Sequence, residues 1–546
     1  MIRSGQLLFF SHALEIYTIE EKDIGNDFFK IASLIPQDDS LKFSLDSYLP
    51  IGFIMHPTMS TPFFRKNDSS PFRQSPVSRR RMLQSVACGF GGLAFSGMRA
   101  DSRAGTGQIE NPLNPLTTHV PARAKRVIFL FMQGGPSHVD TFDYKPKLFA
   151  SHQQEVDILG YRFNNFRKAT RQVMMKPLWD FQKHGQSGKS VSSLFPEVAK
   201  HVDDLCFIHS MHTEGVAHGP STLFLHTGSV NTVRPSVGSW ISYGLGTESA
   251  NMPSFVTICP TARMGGPQNY GNAFLPAIHQ GTPIGKAEQP LSEAGIKDIV
   301  NPRLNAEEQL KRFQLLQALN RTQLAQSPSN DNMEANLNAF ELAYRMQMTA
   351  PGLMDISKET DSVLKRYGIG EKATDHYGRQ CLMARKMAEA GVRYIQVNYS
   401  DNDGGNPRWD QHSNMPRHEQ HARAVDKPIS GLLSDLKSRG LLEDTLVWWG
   451  GEFGRTPFSQ NNNGRDHNPF GFTVWLAGGG VKPGFSYGSS DEYGYQAVEN
   501  KVHMHDLHAT ILYLLGLEHE KLTYRHAGRD YRLTDLYGNV VKDIIA

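Results

Sequence analysis

Continuous apolar runs, rather than alternating ones, mark the strands of this chain. Arg126-Val127-Ile128-Phe129-Leu130-Phe131-Met132 is apolar after its first residue and stops at Gln133-Gly134-Gly135-Pro136. A run of this kind predicts a strand of a parallel sheet, buried on both faces and delivering a loop at its C-terminal end. Leu205–His209, Ser254–Ile258, Val392–Val397, Leu446–Trp449 and Phe472–Ala477 read the same way. Between them lie helical patterns: 193–200, a helix start at 221–226, Gly378–Ala390 closed by Gly391, 419–438 closed by Gly440, and His505–Leu515 closed by Gly516. Residues 304–325 and 331–365, rich in Leu, Ala, Glu and Gln, predict a helical insertion over about 300–365. Alternating strands and helices imply an α/β fold, a doubly wound, mainly parallel sheet with helices on both faces.

Composition bounds the function. The 546 residues suit one large α/β domain with insertions, or several smaller domains. With 57 Lys+Arg against 54 Asp+Glu, the net charge of +3 excludes nucleic-acid binding through bulk charge. A hydrophobic share of 39% is enough for a core and excludes neither a soluble domain nor a short signal, but it excludes many membrane spans. Four cysteines do not make a disulfide scaffold. Cys206, Cys259 and Cys381 are expected as buried thiols.

The N-terminal region reads as an address. Ser78-Arg79-Arg80-Arg81-Met82-Leu83-Gln84 resembles a bacterial twin-arginine export signal, and the apolar stretch Ser85–Gly97, which contains Cys88, has the length of a signal core. Residues 59–104 are therefore expected to be the signal, with a small-residue cleavage point near Ser102-Arg103-Ala104. Residues 1–58 are expected to be a spurious or disordered extension from a misassigned start, Met59 being the better one. The remaining domain spans 105–546. The expected location is periplasmic or extracellular.

The chemistry collects after the strands, where sites form in open α/β sheets. The first strand is followed by Ser137-His138-Val139-Asp140 and Asp143, and the second by His212 and His218-Gly219-Pro220-Ser221. Val392–Val397 leads to Asp401-Asn402-Asp403 and Asp410-Gln411-His412. Leu446–Trp449 leads to Glu452, Arg455 and Asp466-His467. Histidines mixed with carboxylates are ligands for Zn²⁺, Mn²⁺ or similar ions. Asp410 with His412, and Asp466 with His467, lie in Gly/Asn-rich loops that let each pair turn to one centre. Glu452 ends a buried strand, where an unpartnered carboxylate is costly. Arg455 is placed to fork onto phosphate or sulfate oxygens. Asp143 and Asp506 are equally good helix caps.

The segments IFLFMQGGPSHVDTFDYKPKL, GRQCLMARKMAEAGVRYIQV, WDQH, LLEDTLVWWGGEFGRTP, GRDHNPFGFTVWLAGGGVKPG and HDLHATILYLLGL resemble the bacterial family called domain of unknown function 1501, over roughly residues 119–541. That family looks like a remote branch of the alkaline phosphatase/sulfatase superfamily. The resemblance implies an alkaline-phosphatase-like sandwich with a metal site at the sheet's C-terminal edge. It implies Asp410, His412, Glu452 and His467 as ligands of a divalent metal (zinc, manganese or calcium). Where the first strand should end in a metal-binding Asp, Gln133 and Gly134 stand instead, leaving Ser137, His138 or Asp140 as substitutes. Counting back from Thr227-Gly228, Pro220-Ser221 match the sulfatase motif, but His218 occupies the nucleophile position and Thr222 replaces Arg. The formylglycine signature is absent. His218 is then a metal ligand, a direct nucleophile or a sign that the site has drifted, with Ser221 and Thr222 as fallback nucleophiles.

These readings converge on an exported metal-dependent hydrolase of phosphate or sulfate esters, with a small-molecule or glycan ester as substrate, no nucleic acid and no stable membrane span. The rival is a non-catalytic exported protein that binds a glycan or another protein on a degenerate hydrolase fold.

Overall fold

The computed structural model describes residues 114–159, 169–287, 289, 291, 303–326, 331–400 and 407–546. The stretch expected to be an export signal, Cys88 and Asp401-Asn402-Asp403 lie outside the described residues.

Among the described residues the central sheet has nine strands: β1 Arg126–Met132, β2 Leu205–His212, β3 Phe255–Ile258, β4 Thr282–Ile284, β5 Tyr394–Tyr399, β6 Thr445–Gly450, β7 Phe472–Ala477, β8 Phe485–Tyr487 and β9 Val502–His503. Their order is β8-β2-β7-β6-β1-β5-β3-β4, with β9 also paired to β2. All ladders are parallel except those of β7, which runs antiparallel to both β6 and β2. The reversal has a consequence for the site. The parallel strands reach one sheet edge with their C-terminal ends, whereas β7 presents its N-terminal end there.

The apolar run of β1 divides between the two faces with the strand's period of two. Ile128, Leu130 and Met132 enter one core with Cys381, Leu382 and Met387 and with Val425, Ile429, Leu432 and Leu436. Val127, Phe129 and Phe131 enter the other, with Trp240 and Ile241 and with Leu507, Ile511 and Leu514. The first set of partners lies on helices Asp375–Glu389 and Arg417–Ser438, the second on Val237–Leu245 and Met504–Leu514. Burial on both sides is why the run shows no polar alternation. Each such aliphatic or aromatic side chain contributes roughly 1.5–3 kcal/mol by leaving water.

In chain order the helices used below are α1 His138–Thr141, α2 His218–Thr227, α3 Val237–Leu245, α4 Ala306–Gln326, α5 Asp331–Met354, α6 Asp375–Glu389, α7 Arg417–Ser438 and α8 Met504–Leu514. The expected insertion forms as α4 and α5, followed by a short helix at Asp361–Arg366. Phe313 stacks on Tyr344 across the α4–α5 pair, and Arg345 ties α5 to the body through the Ala250 carbonyl at 3.0 Å. No helix among the described residues is long and apolar enough to cross a membrane. Cys206, Cys259 and Cys381 are free and buried. Burial pushes the Cys206 and Cys259 thiols up to about 12.

Three local readings are refined. The helix expected at 193–200 is a 3-10 segment, Val198–Asp204. Two small hairpins, Glu155–Leu159 with Ala169–Val173 and Phe181–His184 with Lys189–Ser192, stand where no strands were predicted. Their half-exposed, largely polar residues carry little hydrophobic pattern. Asp506 sits at the third position of α8 and completes a capping box with His503, accepting its backbone N–H at 2.9 Å.

Candidate metal centre

Three loops meet at the edge of the sheet. The loop after β2 opens α2, whose first residue is His218. The segment after β5 carries Asp410 and His412. The segment after β6 carries Glu452 and Arg455. Gly454–Arg455 then pairs antiparallel with His467–Asn468, placing Arg455 opposite His467. Because β7 runs antiparallel, the residues before it lie at this same edge, which is how His467 reaches the site.

His218, Asp410, His412 and His467 offer ligand atoms that all lie within 4.8 Å of one another. Asp410 Oδ1 is the hub. It stands 3.1 Å from His218 Nε2, 2.8 Å from His412 Nε2 and 3.3 Å from His467 Nε2. The Nε2 atoms of His412 and His467 are 3.0 Å apart.

The opposite ring nitrogens explain why the Nε2 atoms gather here. His218 Nδ1 donates to Glu452 Oε1 at 2.6 Å. His412 Nδ1 donates to Gln460 Oε1 at 2.5 Å, and His467 Nδ1 to the Val216 carbonyl at 2.7 Å. Each acceptor fixes the proton on Nδ1 and leaves an Nε2 lone pair. Three lone pairs and a carboxylate oxygen therefore face one another. His218 Nε2 is buried and, although close to Asp410, makes no aligned hydrogen bond. Acceptors so arranged require positive charge between them, from added protons or from a cation.

The electrostatics follow. Burial alone would raise Asp410, but its contacts with His218, His412 and His467, and the charge of Arg455, hold it far below the usual carboxylate range. Burial opposes charge on His218; the contacts with Asp410 and Glu452 outweigh it and raise the imidazole's pKa. Burial pushes His467 down to about 4 in spite of Asp410, so its ring is neutral at neutral pH.

Glu452, expected as a ligand, lies behind His218 instead of within the four-residue group. It is fully buried, and Gly134 N–H donates to Oε1 and Oε2 at 2.9 and 3.1 Å. Gly134 has φ +112°, and a Cβ there would meet the Trp409 backbone nitrogen at 2.7 Å. The glycine after β1 is thus required by the turn that holds Glu452.

Arg455 is a correction. Its expected anion-binding fork is turned inward and fully buried. Nε donates to the Gly135 carbonyl at 3.0 Å and Nη1 to the Arg465 carbonyl at 3.2 Å. Nη2 reaches the Gly134 carbonyl, and Asp410 Oδ1 at 2.7 Å. With every nitrogen committed, the guanidinium positions Asp410. His138 is a second correction: at the start of α1, its Nε2 bonds the Gly494 carbonyl at 2.6 Å, and it is not among the clustered ligands. Asp140 bridges Arg465 Nε at 2.7 Å, both side chains being fully buried. Ser221 is buried on α2, its Oγ without a hydrogen-bond partner and so close to Gly215 that a Cβ there would lie 2.1 Å away. Asp143 accepts from Ser490 and pairs with Lys145 at 3.1 Å. His212 packs beside His503, with ring centroids 5.0 Å apart, outside the group.

Gln460 and Gly464 were not singled out from the sequence. The NNNG stretch between them signals a turn but not that Gln460 would orient His412.

No curated protein matches the chain by sequence. Solved structures similar to it include the lipoteichoic acid synthase LtaP from Listeria monocytogenes, at 9% identity over 74% of this chain and 76% of that one, TM-score 0.32. The PsFucS1 sulfatase from Pseudoalteromonas sp. is similar at 14% identity over 60% and 63%, TM-score 0.29. A protein in the alkaline phosphatase superfamily from Vibrio parahaemolyticus is similar at 9% identity over 79% and 77%, TM-score 0.30. The model of the family described as "Protein of unknown function (DUF1501)" matches residues 124–545, most of the sequence, and the chain belongs to that family.

Proposed function

We propose that this protein is an exported, metal-dependent hydrolase of phosphate or sulfate esters. The observation that carries the reading is the convergence of three Nε2 lone pairs on Asp410 Oδ1, each ring held from behind by an acceptor on Nδ1. Three nitrogens and one carboxylate oxygen suit zinc or manganese. Calcium, which takes about six to eight oxygen ligands, suits the set less well. When bound, such an ion supplies Lewis acidity toward an ester oxygen and toward water.

The chain's own residues do the rest. Glu452 keeps the His218 proton on Nδ1, and Arg455 holds Asp410 in place. The N-terminus of α2, which begins at His218, points its positive end at the group and favours an anionic ester there. The twin-arginine stretch at 78–84 supports export.

One observation favours a second reading, a non-catalytic binding protein. Ser221 Oγ is covered and Arg455 is turned inward, so neither hydroxyl nor guanidinium is free for an ester. The test is turnover of aryl phosphates, phosphonates and sulfates by metal-loaded protein, wild type against His218→Ala. Hydrolysis lost in the variant supports the hydrolase. Stoichiometric metal with no turnover of any ester supports the binding protein.

A further inference from the structure

We propose that His212, His503 and Glu214 form a second site for a divalent transition-metal ion, separate from the first group. The proposal does not depend on the ester-hydrolase reading.

The site follows from strand pairing. β9 runs parallel to β2, and the register sets His503 directly beside His212. Paired residues of neighbouring strands share a face of the sheet, and the two rings lie together with centroids 5.0 Å apart. Two imidazoles on one tetrahedral ion, with metal–nitrogen bonds of about 2.0–2.1 Å, have their centres roughly 5 Å apart. His503 Nε2 stands 4.0 Å from Glu214 Oε1. The ligand atoms of such an ion lie about 3.3 Å apart. The Glu214 side chain, 61% exposed, has the room to close the difference.

The donors suit an ion. Among the described residues neither ring nitrogen of His212 takes part in a hydrogen bond, and the ion-pair neighbour of Glu214 is His503, not a lysine or arginine. Asp506 adds negative charge near His212, and Lys501 opposes it. Imidazole nitrogens select zinc, copper or nickel over magnesium or calcium. Two histidines and one glutamate leave a fourth tetrahedral position open to water or another ligand.

One contact opposes binding. His503 Nδ1 accepts the His505 N–H at 3.4 Å as the cap of α8. An ion on Nε2 moves the ring's proton from Nε2 to Nδ1 and gives up this long bond. The Asp506 half of the capping box is untouched. The second site is therefore weaker than the first, and it fills on added metal rather than during purification. Its place links it to the first group. Glu214 lies two residues before Val216, whose carbonyl holds His467 Nδ1 at 2.7 Å, and four before His218. An ion on Glu214 ties this loop to β2 and β9.

The test is zinc titration of the untagged full-length chain, stripped with chelator and reloaded with one equivalent. Wild type is compared with His212→Gln, Glu214→Gln and His412→Ala. Circular dichroism and melting confirm that each variant folds, and Glu214→Gln, at an exposed position, keeps the test decisive should His212→Gln unfold. Wild type is expected to take up a second, weaker equivalent. The groups behind metal ligands are alone worth about tenfold in affinity, so loss of a ligand in His212→Gln or Glu214→Gln should weaken this step at least that much. In His412→Ala, where the first group is broken, the weaker step should remain. Electron paramagnetic resonance of Cu²⁺ added in place of the second zinc should show two nitrogen ligands in wild type and one in His212→Gln. No second equivalent in wild type, an unchanged second step in either ligand variant, or its loss in His412→Ala overturns the proposal.

Discussion

His218 and Glu452 form a buried imidazole–carboxylate pair, Nδ1 to Oε1 at 2.6 Å, and the pair aims His218 Nε2 at Asp410. Glu452 is in turn held by the Gly134 N–H. A carboxylate that orients a ligating histidine is worth about 10–100-fold in metal affinity. Glu452→Gln should lose that much in chelator competition while its unfolding midpoint stays near wild type. Wild-type affinity in the variant would remove Glu452 from the site.

Gly464, three residues before His467, packs directly against the backbone of His412. A Cβ there would lie 2.0 Å from the carbonyl carbon and oxygen of His412, both backbone atoms that cannot swing aside. Gly464→Ala should separate His412 from His467, lowering metal content and melting temperature together. A variant that keeps both would show that this contact does not set the ligand spacing.

Asp140 and Arg465 support the same region from beneath. The pair is fully buried, and Arg465 also donates to the carbonyls of Thr456, Met175 and Lys176. Asp140→Ala leaves a guanidinium buried without its carboxylate, which costs about 3–5 kcal/mol. Urea unfolding measures it; a change below about 1 kcal/mol contradicts the assignment.

Stability should fall in acid through buried neutral histidines. Burial pushes His226 and His508 from 6.5 to about 4. Between those values the unfolded chain takes up protons that the folded chain refuses. Their contribution is therefore complete above pH 6.5 and lost as pH falls toward 4. Melting temperatures measured from pH 7.5 to 4.5 should drop across this window, and His508→Gln should flatten the drop. A parallel curve in the variant would contradict it.

Much of this was legible in the residues. Both-face burial made β1, β2, β5, β6 and β7 visible as apolar runs, and the loops after β2, β5 and β6 held His218, Asp410, His412 and His467. The direction of β7 was not legible, because an apolar run buried on both faces looks the same either way. Nor was the inward turn of Arg455: it depends on the Gly134 and Gly135 carbonyls, brought in from more than three hundred residues away. Glu452 was recognised as an anomalous buried carboxylate, but only geometry distinguishes a ligand from the group behind one. His138 failed as a ligand because a backbone carbonyl, Gly494, takes its Nε2.

The central claim is that His218, Asp410, His412 and His467 hold one divalent ion. It is tested most directly by elemental mass spectrometry of protein purified without chelator, comparing wild type with His412→Ala and His467→Ala. The account predicts about one equivalent of a divalent metal in wild type and its loss in both variants. Well-folded wild type without metal, or both variants retaining it in full, would contradict the account.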